Sequence, residues 1–221
     1  MMGPRVEGIT WMLLVGGMFL LAQGCQKTYY TTMEKFGVHK RDILADRVEE
    51  ARDSQNEAKD QFESALARFQ AVVGEPEGEL KDKYEQLKDE LEESEAKAEE
   101  VRKRISSVED VAEALFQEWE LELSQYSNEK LRASSKEKLK TTRKNYAGLM
   151  AAMKKAESRI DPVLTPLRDQ VLYLKHNLNA QAIAALQNEL VGVEADVQSL
   201  IQEMEAAIKE ADTFIQELEK G

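Results

Sequence analysis

The chain has 221 residues, 42% of them hydrophobic and 33% charged, with four prolines, one cysteine and a net charge of −12. That length suits one ordinary domain or two small ones, and much charge with little proline is the balance of long helices with a large solvated surface. An acidic chain is a poor partner for polyanions, so no nucleic acid is expected; a single cysteine excludes an internal disulfide framework and any multi-cysteine metal site.

The first predicted element is a leader. Arg5 and the amino terminus precede an apolar run of twelve residues, Trp11 to Ala22. A membrane span needs roughly 20 such residues, whereas a signal-peptide core needs about 7–15. The run is followed by Ala22, Gln23, Gly24 and Cys25. This resembles the lipobox of bacterial lipoproteins, in which small residues precede a cysteine that receives a diacylglycerol. Lipobox motifs usually carry Leu three places before the cysteine; here Ala22 stands there and Leu21 one place further back. The resemblance implies that residues 1–24 are a signal peptide, that Ala22, Gln23 and Gly24 form the lipobox, and that Cys25 is the lipidation site. Acyl chains anchor by burial at ~0.8 kcal/mol per CH₂. Residue 26 is Gln, not the Asp that retains enteric lipoproteins in the inner membrane. The expected location is therefore the cell envelope, at the periplasmic face of the outer membrane.

Residues 25–42 then read as a tether, and 43–221 as an antiparallel coiled-coil domain. In the first helix Leu44, Val48, Ala51, Gln55, Ala58, Phe62, Ala65, Phe69 and Val72 alternate steps of four and three. Gln55 is the polar member of that seam. In the second, Leu80, Tyr84, Leu87, Leu91, Ser94, Ala98, Val101, Ile105, Val108, Ala112, Leu115, Trp119, Glu122 and Tyr126 keep the same alternation. A seam sustained for more than three or four heptads is a coiled-coil signal. The third runs from Leu139 through Tyr146, Met153 and Ile160 to Leu167, then steps by four to Val171 before Leu174 and Leu178. That phase shift lies beside Pro162 and Pro166, where a bend or short break is expected. The fourth runs from Ile183 through Val193, Leu200 and Ala207 to Phe214 and Leu218.

Turn signals separate the segments. Gly74 to Gly78 carries two glycines and a proline, Ser127 and Asn128 offer a reversal and a helix cap, and Asn177 and Asn179 flank the last start. Loops this short join antiparallel neighbours. The fold class is therefore all-α: a long antiparallel coiled-coil bundle of four helices, up-down-up-down, with helices two and three projecting as a hairpin. Charge favours their pairing. Glu79 to Tyr126 holds 16 acids and 7 bases, and Asn128 to Ile160 holds 3 acids and 10 bases.

Chemistry is sparse. No Gly-Lys-Ser/Thr occurs, so a P-loop nucleotide site is absent. His39 sits beside Lys40 and Arg41, and His176 at a predicted helix end, where a cation is favoured. No Glu-x-x-His pair of the di-iron bundle type is present. Glu92, Glu93, Glu95, Glu99 and Glu100 read as a solvated helix face. No catalytic residue, cofactor or metal is expected. Phe116, Trp119 and Tyr126 concentrate toward the hairpin tip, where two helices cannot bury all three; they are the candidate partner-binding residues.

Several stretches are more specific than heptads. They include Gly37-Val38-His39-Lys40-Arg41-Asp42-Ile43-Leu44, Val108-Glu109-Asp110-Val111-Ala112-Glu113-Ala114-Leu115-Phe116 and Leu167-Arg168-Asp169-Gln170-Val171-Leu172-Tyr173-Leu174-Lys175-His176-Asn177. Through them the chain resembles a family of bacterial envelope lipoproteins known only as a domain of unknown function. The resemblance covers essentially everything after Cys25 and brings no catalytic residues. The expected function is that of a membrane-anchored, non-enzymatic structural or adaptor lipoprotein. Its partners would be the lipid bilayer, through acylated Cys25, and an envelope protein. The alternative is a periplasmic client- or lipid-binding carrier or holdase, with Met150 and Met153 lining a groove. The seam leaves open whether it closes within one chain or between two copies as a homodimer.

Overall fold

A computed structural model of the chain describes residues 39–74, 79–177 and 180–220. The expected leader, the lipobox residues Ala22, Gln23 and Gly24, and Cys25 lie outside the described residues, as do 75–78 of the first predicted turn. Nearly all described residues belong to one compact unit, Leu44–Gly221. The helices are α1 (Lys40–Gly74), α2 (Leu80–Leu123), α3 (Glu129–Glu157), α4 (Ile160–His176) and α5 (Ala180–Lys220). No strand occurs among the described residues.

The expected seams are the core. All nine seam positions of α1 from Leu44 to Val72 are buried, Gln55 included. So are Leu87 through Leu115 of α2, and Leu186, Val193, Val197, Leu200, Met204, Ala207, Ala211, Phe214 and Leu218 of α5. Burying one such large side chain stabilises by about 1.5–3 kcal/mol, far more than helix propensity supplies.

Ion pairs fix the registers. Glu50 meets Arg104 at 2.7 Å and Glu57 meets Lys97 at 2.5 Å, so α1 and α2 are antiparallel. Arg52 with Asp212 and Lys59 with Glu205 set α5 antiparallel to α1. Arg143 with Glu120 and Lys154 with Glu109 set α3 antiparallel to α2, in the charge sense expected. Lys155 reaches Glu203 of α5 at 2.9 Å. Each rod thus has two antiparallel neighbours, which is the up-down-up-down bundle. Exposed pairs of this kind contribute about 0.2–1 kcal/mol each; their use is to select the register.

The break expected near the prolines falls at Ser158 and Arg159, between α3 and α4. Pro162 has no N–H, so the Ser158 carbonyl lacks its helical donor. The turn tightens there: Arg159 N–H donates to the Ala156 carbonyl at 3.0 Å and Ser158 Oγ to that of Lys155 at 2.7 Å. Pro166 sits inside α4. The register survives, because Asp161 meets Arg102 at 2.9 Å and Arg168 pairs with Glu95. From Lys154 to Asp161 and from Glu109 to Arg102 the count is seven on both rods. The phase shift appears instead as a wider buried face, with Val163, Leu164, Leu167, Gln170 and Val171 all inside.

Helix ends are closed by side chains. The last-turn carbonyls of α1 accept from neighbours: Lys83 Nζ donates to Val72 O at 3.2 Å and Gln187 Nε2 to Val73 O at 3.0 Å. Asn128 caps α3 as expected, its Oδ1 accepting from the N–H of Lys130 at 2.9 Å and of Leu131 at 3.3 Å.

The α2–α3 hairpin outruns its neighbours. Asn145 bonds Glu217, yet α3 has sixteen residues before Asn145 and α5 only three after Glu217. The difference of thirteen is ~20 Å of helix. On the other rod, α2 continues nineteen residues past Arg104, the partner of Glu50.

Candidate functional site

The projecting end gathers the side chains of most interest, and it divides the three aromatics. Phe116 is buried. The Tyr146 ring meets it edge-on with centroids 5.3 Å apart, and the Arg143 guanidinium lies 5.2 Å from the Phe116 centroid while also holding Glu120. A cation over an aromatic face is attracted by the ring quadrupole, so Arg143 covers what core packing leaves. Phe116 offers no free face. Trp119 is half-buried, and its Nε1–H donates to Ser135 Oγ at 2.8 Å across the hairpin. Tyr126, in the connection itself, is 39% exposed.

Two residues outside the expected set join Tyr126. Leu121 is 70% exposed and Leu131 57% exposed. Neither lies on the seam: Leu121 falls between Trp119 and Glu122, and Leu131 precedes the seam's start at Leu139. The sequence signal that could have found them is a leucine off the heptad stripe, close to a turn. Leu121, Tyr126 and Leu131 are half of the large apolar side chains that stand exposed among the described residues. The rest, Leu172, Tyr173 and Val191, are on α4 and α5 toward the opposite end.

Charge at the tip is balanced. Gln117 to Lys140 holds the acids Glu118, Glu120, Glu122, Glu129 and Glu137 and the bases Lys130, Arg132, Lys136, Lys138 and Lys140, five of each. The acid surplus of the chain therefore lies elsewhere.

Tyr146 closes the base of the hairpin, between Phe116 and Phe214, whose centroid is 6.3 Å away. Burial first, then the charges of Glu109, Glu113 and Asp110, push its pKa up to about 12. The phenol keeps its proton near neutral pH and offers no base there.

Elsewhere the core holds polar groups. Gln61 Nε2 donates to Glu90 Oε2 at 3.0 Å, and Ser94 Oγ donates to the Glu90 carbonyl at 2.7 Å. Gln55 is fully buried with both amide atoms unpartnered, and Gln170 Nε2 is likewise unpartnered. Met150 and Met153, the residues expected to line a groove in the carrier alternative, are buried inside the bundle. His39 is exposed at the start of α1, and His176 is exposed in the last turn of α4 beside Lys175. Glu92, Glu95 and Glu100 of the acidic face pair with Lys88, Arg168 and Lys97. Among the described residues no group of three His, Cys, Asp or Glu converges as a metal set, and no helix is long and apolar enough to cross a membrane.

A family model described as "Protein of unknown function (DUF2959)" matches residues 29–218. No curated protein matches the chain.

Proposed function

The chain belongs to this family of unknown function, and we propose that it is a membrane-anchored, non-enzymatic lipoprotein of the bacterial envelope, acting as a structural or adaptor arm. The observation that carries the reading is a conjunction. A short apolar leader ending in Ala22-Gln23-Gly24-Cys25 precedes a bundle built almost wholly of heptads, and that bundle extends one apolar-capped hairpin past its neighbours. A leader of that length is exported and cleaved rather than retained as a span. The bundle's buried residues are absorbed by packing, and of the exposed apolar side chains Leu121, Tyr126 and Leu131 are the ones carried on the projecting hairpin, the contact end of the arm.

The test is metabolic labelling with palmitate in a Gram-negative host expressing the full chain, beside Cys25→Ala. Label on the parent alone, with the parent in the outer-membrane fraction, is the expected result. Equal mass and equal membrane association for the two proteins sinks the anchored reading. An intact parent found only in the cytoplasm sinks it as well.

A further inference from the structure

Resting on that anchored reading, we propose that the hairpin tip docks on the surface of the same bilayer that holds Cys25, so that the protein grips its membrane at two points. Three observations lead there.

The first is topological. The chain enters the bundle unit at Leu44, six residues before Glu50, and the Glu50–Arg104 pair puts Leu44 level with Asp110 of α2. That is the end of the bundle from which the hairpin projects. Tyr126 lies sixteen residues beyond Asp110, a distance of ~24 Å along a helix axis. Eighteen residues separate Cys25 from Leu44, and a chain of that length spans at most ~60 Å. An acylated Cys25 is therefore tethered by a length of chain that allows the tip to reach the bilayer.

The second is composition. Leu121, Tyr126 and Leu131 stand exposed beside half-buried Trp119, with Lys130, Arg132 and Lys136 exposed on the first turns of α3. Leucine and aromatic rings with long basic side chains nearby settle at a membrane–water interface. The rings sit at the headgroup level and the basic stems reach out to phosphates. Glu122 and Glu129 are exposed at the tip as well, and Glu129 pairs with Arg132.

The third is charge. The chain carries −12, which an anionic bilayer repels. From Gln117 to Lys140 the acids and bases number five each, so the hairpin tip itself carries no net charge. With no net charge there, apolar insertion drives the contact, and the contact should depend little on the anionic lipid content.

Trp11 and Trp119 are the two tryptophans of the chain; cleavage before Cys25 removes Trp11 and leaves Trp119 as the reporter of the tip. The full chain is expressed, and the processed protein is purified from membranes and placed in vesicles of phosphatidylethanolamine and phosphatidylglycerol, with and without brominated acyl chains. Palmitate label on Cys25 is scored separately. The expected result is at least twofold quenching of Trp119 by bromolipid. Leu121→Ser/Tyr126→Ser/Leu131→Ser should abolish most of it, with lipid label and helical circular dichroism unchanged. Tyr126→Ser alone should lose part of it, which covers the case of a misfolded triple variant. Unquenched Trp119 on a labelled protein overturns the inference while the anchor stands; a protein crosslinked at the tip in cells would then name the partner. Quenching that survives the triple substitution also overturns it, because the tether alone then holds the tip near lipid. Absence of label on Cys25 removes the anchored reading and this inference with it.

Discussion

One heptad seam runs the length of α2, and its two ends have different fates. In the bundle body Val101, Ile105, Val108 and Ala112 are fully buried. Further on, with the step pattern unbroken, Trp119 is half-buried and Glu122 and Tyr126 are exposed. Exposure changes in the same direction along α3: Leu149 and Met153 on the seam are sealed, whereas Leu131, off the seam and nearer the tip, stands in water. The helix is continuous from Val101 through Trp119 and Glu122 to Leu123, and only Tyr126 lies past its end. What changes is the number of rods at that height, four in the body and two at the tip. Periodicity decides the direction in which a side chain points; the count of neighbouring helices decides whether anything meets it.

The largest effect that separates the regions is cavity formation. Phe62 is fully buried in the body, so Phe62→Ala should cost about 3–5 kcal/mol, the lost transfer energy plus the void. Leu131→Ala at the tip should change stability by less than ~0.5 kcal/mol, as surface substitutions do. Urea denaturation followed by circular dichroism measures both. Comparable losses for the two would mean that the tip is packed against a second copy in solution, and that body and tip are not the distinct regions described.

Gln55 gives a smaller effect of opposite sign. An unpartnered buried amide forfeits about 1–3 kcal/mol of hydration. Gln55→Leu, close in volume, should therefore raise the urea midpoint, by about 1–2 kcal/mol of stability. A fall in the midpoint would show that the amide has a partner worth keeping. The residue also marks how far the sequence could be read. The seams, the antiparallel order, the Asn128 cap and the break beside Pro162 were all legible, because each follows from spacing or from the chemistry of one residue type. Gln55 was legible as the polar member of its stripe. Its lack of a partner was not, since that depends on what three other helices place at its height. Exposure at the tip is half legible for the same reason. Tyr126 is exposed, as its place near the turn leads one to expect. Phe116 is buried instead of exposed, because Tyr146 and Arg143, which cover it, lie some thirty residues away in sequence. Leu121 and Leu131 lie off the stripe, so periodicity carries no signal for them.

The smallest effect expected sits at the boundary between the regions, on Tyr146. Its phenol is held between Phe116 and Phe214, six residues before α5 ends at Lys220. Burial raises its pKa from the ordinary 10 to about 12. Between those values the unfolded chain has released the proton and the folded chain still binds it. The unfolded state then binds fewer protons, so this group makes stability fall as pH rises from about 10 to 12, and adds nothing to the slope below pH 9. Tyr146→Phe removes the ionisable hydroxyl and keeps the ring contacts. Urea midpoints of the two proteins should therefore run parallel up to about pH 9.5, after which the parent should decline more steeply. The difference stays modest because part of the ring edge remains in contact with water, which screens the nearby Glu109, Asp110 and Glu113. Parallel curves throughout would mean that water reaches the phenol freely, and that the two-helix region begins below Tyr146 instead of above it.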